Sequence, residues 1–226
     1  MAETAVAKKT VESPLSKRRK KIMSDPLDEN NPITVQVLGI CSALAVTVKL
    51  EPTLVMSIAV IFVAVFSNLI ISLIRNYIPS RIRIIVQLGI IATLVALVDQ
   101  VLKAYVYDIW KMVGVYVGLI ITNCIIMGRL EAFAMANKPY DSVLDGIGSG
   151  VAYAIIILLI AAFRELFGSG SLFDWKVFEA IGWSSDGWVG SDFPTNGLMV
   201  SPVGAFIILG LIIWVQRARN GYVEEN

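Results

Sequence analysis

Histidine is absent from this 226-residue chain, and cysteine occurs only twice. Without histidine the chain can build no His-ligated haem, no His-containing zinc site and no Ser-His-Asp triad. Cys41 and Cys124 belong to no Cys-x-x-Cys pair and sit inside apolar stretches, which excludes a secreted disulfide framework. Gly146, Gly148 and Gly150 follow no strand and misplace the last glycine, so they do not form a dinucleotide loop. Charge is also sparse: 16% of residues are charged and the net charge is +1. No nucleic-acid partner is expected.

What the chain has in quantity is apolar surface. Hydrophobic residues make up 56% of it and mean hydropathy is +0.72, far too apolar for a soluble domain of this length. It reads as an all-α protein of the lipid bilayer. The basic run Lys17-Arg18-Arg19-Lys20-Lys21 is followed by the polar stretch Ser24 to Asn31, where a signal peptide would carry an apolar region. Residues 1–31 are therefore read as a basic cytoplasmic tail, 32–217 as the transmembrane domain and 218–226 as a C-terminal tail.

Six apolar segments follow one another. Pro32 opens the first, Ile33 to Val48, at a helix position where a missing N–H does no harm. Pro52 opens the second, which runs to Ile74, and the third has its core from Ile84 to Val98. The fourth is Met112 to Gly128, the fifth Val143 to Phe163 and the sixth Gly197 to Gln216. Tyr105, Tyr107 and Trp110 suit an interfacial belt, and the Trp-rich stretch 168–196 reads as an interfacial or exposed loop without an assigned role. A cytoplasmic N-terminus puts the tail, the Arg75 to Arg83 and Arg129 to Lys138 loops, Arg217 and Arg219 on one side. Both termini are then cytoplasmic.

The other apolar runs are mostly longer, and both cysteine segments look too short to cross a membrane comfortably. At about 1.5 Å per helical residue they reach roughly 25 Å, against a hydrocarbon core of about 30 Å. Short, Gly-containing segments at corresponding places in two halves point to a site at the bilayer midplane. Each cysteine is followed at short range by a basic-Leu-Glu triplet, Lys49-Leu50-Glu51 and Arg129-Leu130-Glu131, and each cysteine segment precedes two further spans. An odd number of spans per half turns the second half upside down. The expected fold is thus six transmembrane helices in two inverted three-helix repeats, about 32–110 and 111–217, with short or broken Cys-bearing helices whose thiols meet near the midplane.

A membrane cysteine is ordinarily a small buried hydrophobe. Two thiolates that do meet are half of the Cys₄ set of a [2Fe–2S] cluster, with the other half supplied by a symmetric or pseudo-symmetric partner. Free backbone N–H groups of short helices would offset the cluster's charge, and Gly39, Ser42, Thr122 and Asn123 flank the thiols as residues for close approach or hydrogen bonding. Asp145 and Asp99 are candidates for cation coupling. Their ordinary roles are a cap for the fifth helix and a Lys103 partner one helical turn away. Arg164-Glu165 is read as interfacial.

Several stretches together resemble a known family. They are Asn30-Asn31-Pro32-Ile33, Val35 to Thr47, Lys49-Leu50-Glu51, Ser72 to Asn76, Arg83 to Gln87, Val98-Asp99-Gln100 and Gly118 to Arg129. They are similar to the D subunits of Na⁺-translocating NADH:quinone reductases (Nqr), from about Asn30 to Gln216. The resemblance implies a bacterial inner-membrane component of a six-subunit translocase, alongside the A, B, C and F subunits and paired with a homologous E subunit of inverted orientation. It implies that Cys41 and Cys124 ligate an intramembrane iron–sulfur cluster shared with that E subunit. The cluster would relay electrons from the NADH-oxidising subunit toward membrane flavins and ubiquinone, with Na⁺ export coupled to that flow. No Ser-Gly-Ala-Thr flavin-attachment motif is present, so neither covalent flavin nor NADH is expected on this chain itself. Two cysteines per chain fit [2Fe–2S] or a single tetrahedral Fe equally. The related Rnf ferredoxin:NAD oxidoreductase has a similar subunit, usually with Cys-Pro where Cys41-Ser42 stands here and without Lys49-Leu50-Glu51 and Val98-Asp99-Gln100. A non-redox inverted-repeat ion transporter, with Asp145, Asp99, Thr122 and Asn123 lining a path, is the other alternative.

Overall fold

A computed structural model describes residue 26 and residues 31–79, 81–169 and 201–220. All the regular elements in these residues are helical. They are α1 (Ile40–Val46), α2 (Leu50–Ile74), α3 (Arg83–Tyr105), α4 (Tyr107–Ile121), α5 (Cys124–Arg129), a π-helical turn (Leu130–Ala134), α6 (Pro139–Ser169) and α7 (Pro202–Asn220). Among the described residues, four stretches are long and apolar enough to cross a membrane: Leu50–Ile74, Arg83–Tyr105, Tyr107–Ala134 and Pro139–Leu166. Pro202–Ala218 is a shorter apolar helix. The expected tail, the Trp-rich loop and the start of the sixth segment lie largely or wholly outside the described residues.

The central contact is α2 against α6. Their partners run in opposite order: Ser72 Oγ donates to Asn137 O just before α6, Asn68 Nδ2 to Ser142 O, and Leu50 N–H to Glu165 Oε2 at the far end. The helices are therefore antiparallel. Small residues let them approach closely, because a Cβ at Gly146 would stand 3.2 Å from Ala64 O and from Val65 Cα, and one at Gly150 3.2 Å from Ile61 Cα. This small-xxx-small spacing is how membrane helices gain packing where lipid removes the hydrophobic drive.

The remaining helices lean on this pair with narrow stripes. On α3 only Gln87, Ile91 and Val95 are buried, and on α4 only Val113, Val117 and Ile120, each a single helical face. Val106 alone separates α3 from α4. Trp110 Nε1 donates to Asp99 Oδ1 at 2.9 Å across that hairpin, and Lys103 Nζ lies 5.2 Å from the Trp110 ring centroid. Asp99 thus meets Trp110 and not Lys103, because the tight hairpin brings the indole N–H to the carboxylate. Exposed Tyr105 and Tyr107 complete the aromatic group expected at an interface.

Two further expectations change. No helix starts at Pro32. The Asn31 side chain accepts from the Ile33 and Thr34 N–H groups, and the chain turns through left-handed residues at Val37 (φ 57°) and Gly39 (φ 81°) before α1 begins. The stretch after Arg129 is a π-helical turn continuing α5, in place of the expected loop. Arg164 and Glu165 are both buried within the protein, Arg164 reaching the end of α1 and Glu165 the start of α2.

Filling the α2–α6 contact should be costly. Gly150→Val should destabilise the chain by roughly 1–3 kcal/mol, as overpacking does, read as a lower unfolding midpoint in detergent. Gly118→Ala, with nothing within 4 Å of its new Cβ, should leave that midpoint unchanged or slightly raised.

Candidate functional site

Each cysteine sits at the start of a short helical piece. Cys41 is the second residue of α1, a seven-residue helix, and Cys124 the first residue of α5, a six-residue helix. What precedes each is a break in the backbone. Before α1 the break is Gly39, and before α5 it is Thr122-Asn123, where Asn123 takes an extended conformation at φ −68° and ψ 113°. The breaks bring the cysteines together: Gly39 N–H donates to Cys124 Sγ at 2.9 Å, and the Cys41 thiol lies close enough to Cys124 to interact with it.

Gly39 is fixed here twice over. Its positive φ disfavours any side chain, and an added Cβ would fall 2.6 Å from Ile125 Cδ1 and 3.3 Å from Tyr153 Cε2. Around it runs a buried hydrogen-bond network. Ser42 Oγ donates to Gly39 O at 2.9 Å and accepts from Tyr153 Oη at 2.7 Å, with Asn123 Nδ2 at 3.5 Å. Asn123 Oδ1 accepts from Ile125 N–H at 3.2 Å and so caps α5. Gly39, Ser42 and Asn123 meet around the thiols as their sequence positions suggest. Thr122 does not join them: it is exposed and has no side-chain hydrogen bond among the described residues. Tyr153 escapes sequence reasoning, since a tyrosine amid apolar residues of a long helix carries no local signal.

Both short helices are anchored at their far ends by α6. Arg129, the last residue of α5, pairs with Asp145, with Nε donating to Oδ2 at 2.9 Å and a second bond from Nη2 to Oδ1. Its guanidinium also lies over the Phe133 ring. Asp145 thus lies inside α6 as the buried partner of Arg129 and is not the cap of that helix, because α6 begins more than a full turn earlier at Pro139. At the end of α1, Arg164 donates to Leu44 O at 3.2 Å and to Thr47 Oγ1 at 2.7 Å, while Thr53 and Thr47 hydroxyls take the Val46 and Ala43 carbonyls. The orphan carbonyls that a short helix leaves in lipid are answered by side chains.

Glu131 extends the polar seam outward. It pairs with Arg83 at 2.7 Å and accepts from Gln87 Nε2 at 3.0 Å, tying the π-helical turn to α3. Cys41 is exposed on the surface of the isolated chain, and Cys124 is partly so. No group of three or more Cys, Asp or Glu side chains among the described residues can hold a metal ion. The donor set, two adjacent thiols with a backbone N–H on one sulfur, fits soft-metal thiolate ligation. It cannot close a four-ligand shell from the described residues.

A family model described as "Rnf-Nqr subunit, membrane protein" matches residues 19–213. This chain belongs to the Rnf-Nqr family. It is 55% identical to the D subunit of the Na(+)-translocating NADH-quinone reductase of Psychromonas ingrahamii, over 92% of this chain and 96% of the relative. To the D subunit of the same reductase in Pasteurella multocida it is 56% identical over 93% of the chain and 99% of the relative. That of Proteus mirabilis is 55% identical over the same 93% of the chain and 99% of its own length. Both cysteines, the breaks before them and the anchors on α6 fall within the matched family region.

The Arg129–Asp145 pair is open to direct test. Asp145→Asn leaves a guanidinium without its partner and should cost about 3–5 kcal/mol, as breaking buried ion pairs does. Adding Arg129→Gln should recover part of that loss in the same unfolding assay, and a double variant no better than the single would count against the pairing.

Proposed function

We propose that this chain is the D-type membrane component of a Na⁺-translocating NADH:quinone reductase, and that Cys41 and Cys124 supply half of the ligands of an iron–sulfur cluster inside the membrane. The observation that carries the reading is the meeting of the two cysteines at paired helix breaks, with Cys41 left exposed. A lone buried thiol needs no such arrangement. An open pair of thiols on the surface of the chain is what a shared site requires.

Each residue has a definite part. Cys41 and Cys124 ligate as thiolates, and the Gly39 N–H holds one sulfur in place and offsets its charge. Asn123 and Ser42 keep the two breaks in register. The cluster, a [2Fe–2S] centre with single Fe as the alternative, supplies one-electron transfer when bound. The remaining two ligands come from a homologous E subunit in inverted orientation, at an interface that includes Cys41. Electrons from NADH would pass through this pair toward quinone, with Na⁺ export coupled to the flow. The A, B, C and F subunits complete the complex. The inner membrane of a bacterium, with both termini cytoplasmic, is the location consistent with the basic tail.

The antiparallel course of α2 and α6 supports an inverted repeat, since these helices follow the first and second cysteine in turn. The short α1 and the break inside Tyr107–Ala134 occupy corresponding places in the two halves. The quinone reductase is preferred over the Rnf counterpart because the three relatives compared with this chain are all D subunits of that reductase. The cation-coupling roles of Asp145 and Asp99 are set behind structural ones, since each already has a partner of its own.

The test is iron and acid-labile sulfide in the chain co-purified with its membrane partner. About two of each per pair are expected in the wild type, and none in Cys41→Ser or Cys124→Ser while the pair still assembles. A wild type that assembles and supports sodium flux without iron would end the relay reading in favour of an ion transporter.

A further inference from the structure

We propose that Tyr153 is a positioning residue for the cysteine pair, acting through Ser42 on the Gly39 turn that bonds Cys124. The inference rests on the cluster reading above and adds to it a residue that no sequence motif marked. Tyr153 lies in the middle of α6 with its side chain enclosed. A phenylalanine would fill the same apolar space, so the hydroxyl must be accounted for by what it bonds.

What it bonds leads to a thiol in three links. Tyr153 Oη donates to Ser42 Oγ at 2.7 Å, Ser42 Oγ donates to Gly39 O at 2.9 Å, and Gly39 N–H donates to Cys124 Sγ at 2.9 Å. Ser42 is the junction, because Asn123 Nδ2 approaches the same oxygen at 3.5 Å from the other break. The Tyr153 ring also backs the Gly39 turn, its Cε2 3.3 Å from where a Cβ would stand. The helices that carry the cysteines are seven and six residues long and have little stiffness of their own, whereas α6 is a continuous 31-residue helix. The stiff element therefore sets the spacing of the soft ones, and Tyr153 is the contact through which it does so at the thiol end.

Hydrogen bonds to ligating sulfur raise the reduction potential of an iron–sulfur centre, and partners beyond the ligands orient them. In the assembled complex, Tyr153→Phe and Ser42→Ala should each retain iron and sulfide but shift the midpoint of the reduced-cluster EPR signal to lower potential. The double variant should shift it no further than the larger single, since both cut one chain of bonds. Wild-type potential in Tyr153→Phe, or additive shifts, would overturn the proposal. A second readout needs no iron: in membranes holding the full chain, treated with chelator and reductant and then washed free of both, copper-phenanthroline in air should oxidise Cys41 and Cys124 to each other several-fold more slowly in Tyr153→Phe. Slower oxidation in a protein whose wild type never held iron would keep the positioning role and remove the cluster. Equal oxidation rates, with an iron-bearing wild type and an unshifted potential, would remove the positioning role and keep the cluster.

Discussion

The antiparallel contact between α2 and α6 is the constraint on which the rest depends. In lipid, helix association cannot draw on the hydrophobic effect, so it needs backbones that come close and polar groups that find each other. Gly146 and Gly150 provide the first, and Asn68, Ser72 and Glu165 the second. With that pair locked, α6 becomes a strut along which other elements can be hung at set heights. Asp145, Tyr153 and Arg164 mark three such heights, and each one meets a cysteine-bearing piece.

Broken helices are expensive in a bilayer because every freed N–H and C=O loses its partner with no water to replace it. Here the breaks are answered almost group by group. The end of α1 is taken up by Arg164, Thr47 and Thr53, the start of α5 by Asn123, and the Gly39 N–H by a sulfur. The last of these matters most for the proposed site. A backbone donor that secondary structure would normally consume is released by the left-handed turn and directed at a thiol, so the break itself makes the site.

Much of this is legible in the residues. The apolar spans from Leu50, Arg83 and Pro139 announce themselves by length, the thiols by their place in short Gly-containing segments, and Gly39, Ser42 and Asn123 by lying beside them. Other features are not. Pro32 looks like the opening of a helix, but the Asn31 side chain and two left-handed residues turn the chain instead. Asp99 and Lys103 have the spacing of an ion pair, yet a one-residue hairpin delivers the Trp110 indole to the carboxylate. Arg164-Glu165 looks like an ordinary charged dipeptide at a span's end, and only the tertiary structure shows each residue buried against the ends of α1 and α2.

The sequence by itself determined that this is an all-helical membrane chain with each of its two thiols in an apolar segment, because hydropathy and spacing are properties of the chain taken locally. The tertiary structure alone decided that those thiols meet, that Asp145 is neutralised by Arg129, and that Tyr153 reaches the site through Ser42. These contacts join residues from distant parts of the chain, and nothing in a local pattern specifies which distant partner a buried polar group will find. In a medium without water, that choice falls to whichever helix brings a donor or acceptor within reach.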